Sequence, residues 1–427
     1  MRHNKFLKFI SLIFLTIFFV SSCTKTPGYI VTWKNYDGTI LEIDEDVKKD
    51  TIPTYDNKTP VRDADLEYIY TFIGWYKEGD SEQTLVDLKT YTINSDITFI
   101  AKYESHTYDY YSFTYTLNSE KNGYIISDYR EINENVSVPS TYNNLPVVGI
   151  GDATFYNCSF LISIDIPDSV TSIGKSAFYG CSSLTSIDIP NSVITIGSRA
   201  FYECSSLKLV VLSDNLTTIG ELTFAGCSSL ISIDIPNDVT TIDVGAFMGC
   251  TSLISIFIPD SVTIIGDNTF SYCSSLTSIT LPNHLTIISN SVFSYCSSLK
   301  SVVIPNSVTI IDDSAFYYCT SLSYIFIPNS VTNIGSWAFY NCSSLTSLVI
   351  PDSVTNIGSW AFYNCSSLTS IFIPDSVTFV GVGVFDYCDL LTIYCEATSQ
   401  PNGWNIHWNL NNLPVVWESS EIDATSE

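Results

Sequence analysis

The sequence predicts a mainly β protein: a solenoid of 23-residue coils preceded by a small strand-rich domain. Three observations carry this reading. Cysteines fall at 158, 181, 204, 227, 250, 273, 296, 319, 342, 365 and 388, always 23 residues apart. Phenylalanines keep the same step from Phe155 to Phe385 without a gap, and leucines from Leu161 to Leu368. Between them, "SLTSIDIP" (183–190) alternates apolar and polar residues as a short strand does, and ends on a proline. A 23-residue unit cannot bury its apolar face alone, whereas stacked copies bury one continuous core.

The chain opens with basic "MRHNKFLK", then the apolar run Phe9–Val20, then "VSSC". The run is too short to span a bilayer comfortably, which favours a cleaved signal over residues 1–22. "VSSC" resembles the lipobox of bacterial lipoproteins, although Leu is usual where Val20 stands and Gly or Ala where Ser22 stands. The resemblance implies a diacylated Cys23 as mature N-terminus and membrane anchor, with 23–27 as linker. Several acyl chains together give stable retention where one does not.

Residues 28–104 are rich in Lys, Asp and Thr and contain no cysteine. "YIVTWKNYDGTILE", "YTFIGWYKEG" and "YTINSDITFIAKYE" read as strands with "DG" and "NSD" turns. With Trp33, Asp37-Gly38, Phe72-x-Gly74-Trp75 and Tyr103, the segment resembles the internalin B-repeat, a β-grasp-like module of bacterial surface proteins. That resemblance implies aromatic core residues and a spacer role. Residues 105–133, around "YSFTYTLNSEKNGYIISDY", read as a hairpin capping the first edge of the solenoid.

The repeats occupy 134–395, the first with five extra residues between Pro139 and Val147. Within a unit, Leu184, Ile187 and Ile189 point inward, Gly197 suits a positive-φ turn, and "SRAFYEC" returns the chain with Ala200, Phe201 and Cys204 inward. The glycine column is Gly in eight coils of eleven, with Asp243, Ser289 and Asp312 as exceptions. The pattern Leu-x-x-Ile-x-Ile-Pro-x-x-Val-x-x-Ile-Gly-x-x-Ala-Phe-x-x-Cys resembles the BspA-type leucine-rich repeat of bacterial and protist surface proteins. It implies a right-handed solenoid, a parallel sheet on one face and a role in surface adhesion. Residues 396–417 resemble that family's closing segment, with Trp404, Trp408 and Trp417 covering the last strand edge. The tail 418–427, "ESSEIDATSE", has the composition of a disordered segment.

Charge excludes one class of partner. The net charge is −26, and only Lys175, Arg199, Lys208 and Lys300 are basic between residues 151 and 395. Phosphate backbones and anionic lipid surfaces would be repelled, so no nucleic acid is expected. No catalytic residue, cofactor or metal is expected either. His106, His284 and His407 are far apart in the chain, and no HExxH, GxSxG, P-loop or calcium-loop pattern occurs. Asp165, Asp188 and Asp234 share one column, which reads as a solvated face rather than a cation site. Stacked cysteines at about 4.8 Å would fall within disulfide range. Their inward partners are Leu, Phe and Ile, however, so the reading is a reduced core ladder of small hydrophobes. Cys395 would even their number only by reaching Cys388.

The outward columns carry the functional expectation. If Ile187 points in, Ser186 and Asp188 point out. The Asp188 column runs Asp165, Asp188, Val211, Asp234, Phe257, Thr280, Val303, Phe326, Val349, Phe372, from acidic to apolar. Its neighbour is nearly all Ser, interrupted by Leu209 and Tyr324, and Tyr394 extends the aromatic row. Exposed Phe257, Tyr324, Phe326, Val303, Val349 and Phe372 would form a ligand-binding sheet face of about 800 Å², one side of a standard interface. The partner expected from the resemblance is a host, matrix or other cell-surface protein. The alternatives are self-association in a structural envelope protein, and a glycan platform of Trp337, Tyr340, Trp360 and Tyr363. Those four lie in near-identical repeats, 333–355 and 356–378, which differ only at Leu348/Ile371 and Val349/Phe372.

Overall fold

The computed structural model describes residues 28–62, 68–107 and 113–420. The signal segment, Cys23, the linker 24–27 and residues 421–427 of the tail lie outside the described residues. The described residues form strands and turns with no helix, in two compact units, one described over residues 28–62 and 68–107 and the other over 113–420.

The first unit has four strands: β1 (Tyr29–Lys34), β2 (Ile40–Val47), β3 (Tyr68–Lys77) and β4 (Ile97–Thr107). They form one sheet in the order β2-β1-β4-β3, with β1 and β4 parallel and the outer pairs antiparallel. Strand β4 runs past residue 104, where composition placed the boundary, to Thr107. Asp37 and Gly38 turn the β1–β2 hairpin, with Gly38 at φ 86° and the Asp37 carboxylate accepting the Thr39 N–H at 2.9 Å. Buried Trp33 centres the core, its ring 4.7 Å from Trp75 and 4.8 Å from Phe99. Its indole N–H donates to Asp44 at 2.9 Å, so the polar end of the ring keeps a partner.

The second unit is a β-solenoid whose coils bond to their neighbours along three sides. On the first side, three-residue strands pair in parallel and in register, as Ser186–Asp188 does with Leu209–Val211. On the second, two-residue strands such as Thr195–Ile196 stack into another parallel sheet. The Val-x-x-Ile spacing contained this second sheet, but runs of two residues give no alternation to read. The third side is a ladder of turns, where Ser176, Phe178 and Gly180 N–H groups donate to Ser198, Ala200 and Tyr202 carbonyls of the next coil at 2.7–3.0 Å. Coil-to-coil bonding thereby satisfies backbone groups that a buried turn would otherwise leave unpaired.

The core is a set of columns along the solenoid. The Phe155-to-Phe385 column is fully buried, and neighbouring rings stack nearly coplanar, as in Phe178–Phe201 at 5.2 Å and 4°. The described cysteines are free and buried, and those from Cys181 to Cys388 share one contact. Each thiol donates to the carbonyl of the Phe one coil earlier, as Cys204 does to Phe178 at 3.1 Å. A thiol suits this place because it is small, apolar and still a weak donor. Burial raises the thiols from Cys204 to Cys365 above their ordinary pKa, and those of Cys158 and Cys395 as well, to about 12 at Cys158, Cys273 and Cys395.

The glycine column corrects an expectation. Gly197 and its equivalents are not at positive φ. Gly220 apart, they are glycine because the coils touch there: a Cβ on Gly197 would stand 2.4 Å from Lys175 N and 2.6 Å from Gly174 C. The left-handed positions lie two and six residues later, at Arg199 (φ 59°) and Glu203 (φ 57°), and recur at Trp337 (φ 55°) and Trp360 (φ 54°). Non-glycine residues sit in this costly region because the stacked coils over-determine the backbone.

Both ends are closed. A hairpin of β5 (Phe113–Leu117) and β6 (Tyr124–Tyr129) adds to the second sheet, β6 lying parallel to the strand Leu145–Ile150. The five extra residues of the first repeat make a tight hairpin in which Thr141–Tyr142 pairs back onto Leu145–Pro146 through Asn143 and Asn144, both at positive φ. At the other end Trp408 meets Phe385 edge-on at 6.4 Å and Trp404 at 4.9 Å, while the Trp404 indole donates to Val377 O at 2.8 Å. Val415–Val416 pairs with Ile393–Tyr394. The tail begins later than composition implied: buried Ser419 donates its N–H to Cys395 O at 3.0 Å and Glu418 donates to Ala397 O at 3.1 Å.

Candidate functional site

The first side carries the outward columns on short parallel ladders, Ser186–Asp188 with Leu209–Val211, Ser255–Phe257 with Ser278–Thr280, Ser301–Val303 with Tyr324–Phe326, and Ser347–Val349 with Ser370–Ile373, with paired residues at about 4.8 Å within each. Phe257 faces Thr280, and Val303 faces Phe326, while Tyr324 sits beside Ser301 one column over. Phe257 is 63% exposed and Val303 80%, and Tyr324, Phe326 and Val349 are exposed too. Short-side-chain neighbours leave these rings standing clear: Ser255, Ser278, Ser301 and Ser347 occupy the adjoining column.

Phe372 is a correction. It points away from the solenoid core, since it belongs to a separate cluster, but it is only 8% exposed. Tyr394 stands directly beside it in register and is 6% exposed, so the two rings bury each other near the closed end of the sheet. A side chain's direction is legible from alternation, whereas cover from a following strand is not. The accessible row therefore ends at Val349, and neither Phe372 nor Tyr394 is available to a ligand.

The row is broader than alternation suggested. Ile231 and Ile254, in the column before the serines, are exposed alongside Phe257. Thr, Lys or Ser fills the same column at Thr185, Lys208, Thr277, Lys300 and Ser323, and that contrast was the available signal. Leu209 and Val211 are exposed apolar residues as well, but Asp234 stands between Val211 and Phe257 in the column, and Asp165 and Asp188 precede Val211. The Asp165 carboxyl is raised, chiefly by desolvation and then by Asp188 and Asp168. Among the described residues no group of three or more His, Cys, Asp or Glu side chains is placed to hold a metal ion.

The second aromatic group lies on the turn side. Trp337 and Trp360 stack at 5.6 Å and 9°, and Tyr340 and Tyr363 at 4.4 Å and 1°. The tyrosines belong to a longer ladder, with Tyr272–Tyr295 at 4.5 Å, Tyr295–Tyr318 at 5.0 Å and Tyr317–Tyr340 at 4.9 Å. Burial first, then Tyr363, pushes the Tyr340 hydroxyl up to about 12. Rings stacked this way cover one another's faces and turn their edges to solvent. An uncovered face remains only where the column ends.

A family model described as the BspA type leucine rich repeat region matches in six copies, over residues 148–277 and 263–392, more than half of the chain. No curated protein matches. Among solved structures, the chain is similar to a leucine-rich repeat protein from Bacteroides ovatus ATCC 8483, at 27% identity over 72% of this chain and 98% of that one, with TM-score 0.47. It is also similar to a leucine rich cell surface protein from Faecalibacterium prausnitzii A2-165, at 29% identity, 73% and 95% coverage and TM-score 0.44. A leucine rich repeat protein of T. pallidum shares 26% identity over 56% of this chain and 90% of that one, with TM-score 0.37.

Proposed function

The chain belongs to the BspA-type leucine-rich repeat family, and from that premise we propose that its first sheet binds a protein partner at a bacterial cell surface. The supporting observation is the row Phe257, Val303, Tyr324, Phe326 and Val349, exposed on consecutive ladders of one side of the solenoid. From the coil of Phe257 to that of Val349, a spacing of about 4.8 Å and about 15 Å of width give on the order of 350 Å², within the size range of the larger, often functional, apolar patches on monomers. Aromatic and branched side chains on a preformed sheet lose little freedom on binding, which favours affinity. The Asp165–Asp188–Asp234 end favours a partner whose surface turns basic beside its apolar contact. Recognition is non-covalent and requires no catalytic group.

The same proposal includes export under the 1–22 signal, lipidation of Cys23 and a spacer role for the first unit in the manner of an internalin B-repeat. The partner class is a host, matrix or other cell-surface protein.

The test is a binding screen of the full chain against matrix proteins and mucins, run beside a Phe257→Ser, Tyr324→Ser, Phe326→Ser variant checked for folding and oligomeric state. Loss of the bound protein by the folded variant is the expected result. Equal binding by both would move the site elsewhere. If the parent alone self-associates and neither binds a foreign protein, the face is an assembly surface.

A further inference from the structure

The turn side carries an aromatic stack of Trp337 and Trp360, separate from the sheet row. The backbone column holding Trp337 and Trp360 contains Ser291 and Ser314 in the two preceding coils and Gly383 in the following one. All five residues share the left-handed conformation, with φ between 54° and 58°. Trp337 and Trp360 stack nearly parallel, so their planes continue from coil to coil along the solenoid. The face of Trp337 turned away from Trp360 overlooks Ser314 and then Ser291. Trp337 is 38% exposed, and among the described residues its ring contact is with Trp360. The column is a stack that stops: where the next ring would stand, Ser314 carries only a hydroxymethyl group, and that gap is a candidate slot.

Polar groups border this slot. Ser314 and Ser291 supply hydroxyls, and half-buried Asp313 is held by its Oδ1 accepting the Ser336 N–H at 2.6 Å. We propose that the slot binds one ring of an uncharged glycan, seated on Trp337 with its hydroxyls directed to Ser314 and Asp313. The coil spacing of about 4.8 Å matches the thickness of a sugar ring lying flat on an aromatic face. A β-1,4-linked glucopyranose chain suits the slot, because its equatorial hydroxyls leave both ring faces as C–H surfaces for stacking. The carboxylate accepts hydroxyl hydrogens, and with a chain charge of −26 it disfavours acidic sugars. The earlier expectation gave this role to four aromatic side chains together. The geometry favours Trp337, since Tyr340 and Tyr363 cover each other at 4.4 Å and the far side of Trp360 is met by Gly383, where an added Cβ would stand 2.9 Å from the Trp360 Nε1.

Calorimetric titration of the full chain with cellohexaose and with chitohexaose tests this. Two variants have precedents in the same column. Trp337→Ser copies Ser314 and removes the platform, while Ser314→Trp copies Trp337 and fills the slot with protein. Each is expected to weaken binding by about tenfold or more, the scale of one good aromatic contact. The Phe257→Ser, Tyr324→Ser, Phe326→Ser variant is expected to bind both glycans as the parent does, which keeps this site distinct from the sheet face. Should Trp337→Ser fail to fold, Ser314→Trp decides alone. Unchanged affinity in the folded variants, or no binding of either glycan at millimolar concentration, would overturn the assignment.

Discussion

Phe155 and Cys181 meet across a coil boundary: the Cys181 thiol donates to the Phe155 carbonyl at 3.1 Å. The same bond recurs along the column to Cys388 and Phe362 at 3.1 Å. It makes the thiols part of the packing, and it ties the protein's stability to their protonation.

Alkaline pH is therefore expected to unfold the solenoid. An unfolded thiol titrates near 9.0, whereas burial holds Cys273 at about 12 and raises Cys227 and Cys250 well above 9.0. Below about pH 9 both states keep their protons and the stability is fully present. Above it the unfolded chain loses protons that the folded chain retains, so stability falls as pH rises toward the folded values. Urea unfolding midpoints from pH 7 to 10.5 should drop steeply over the upper part of that range, and Ellman's reagent should find the native thiols unreactive at pH 8. A flat profile would mean that the thiols are not buried as a ladder.

Two glycines in one column should respond oppositely to alanine. Gly197→Ala places a methyl 2.4 Å from Lys175 N and should destabilise by about 1–3 kcal/mol. At Gly220 the nearest atom to an added Cβ is 3.4 Å away, so Gly220→Ala should be neutral or slightly stabilising through the unfolded chain. Denaturation midpoints of the two variants settle the contrast.

Phe372→Ser and Phe257→Ser should separate cover from exposure. The first removes a ring buried against Tyr394 and should cost about 3 kcal/mol. The second removes a solvated ring and should change stability by about 0.5 kcal/mol or less. Thermal melts of the two single variants check this. Similar losses would mean that Phe257 is covered and the sheet face is not free.

Removing the end cap should expose the stack. Trp408→Ala takes away the edge-on contact with Phe385 and the packing on Trp404, a loss of about 3 kcal/mol or more. The uncovered coil then presents unpaired strand edges, so concentration-dependent light scattering should accompany the lower melting temperature.

Much of this architecture was legible because a strict period turns residue identity into position. Phe178, Cys181, Leu184 and Ile187 could be placed inside from the step alone, and each is buried. What escaped was set by atoms outside the repeat unit. Gly197 is glycine because of Lys175 in the coil before, which no single unit displays. Tyr394 covers Phe372 from a strand shortened by one residue, where the period had already broken. The open face of Trp337 depends on what Ser314 lacks, a relation visible only when the columns are laid side by side.

The most direct test of the sheet-face account is hydroxyl-radical footprinting of the full chain, free and bound to whichever protein the screen identifies. Phe257, Tyr324 and Phe326 should be oxidised in the free chain and protected in the complex, with Trp337 and the exposed Tyr387, which stands beside Tyr363 on the turn side, unchanged. Protection at Trp337 or Tyr387 while the sheet row stays reactive would contradict it.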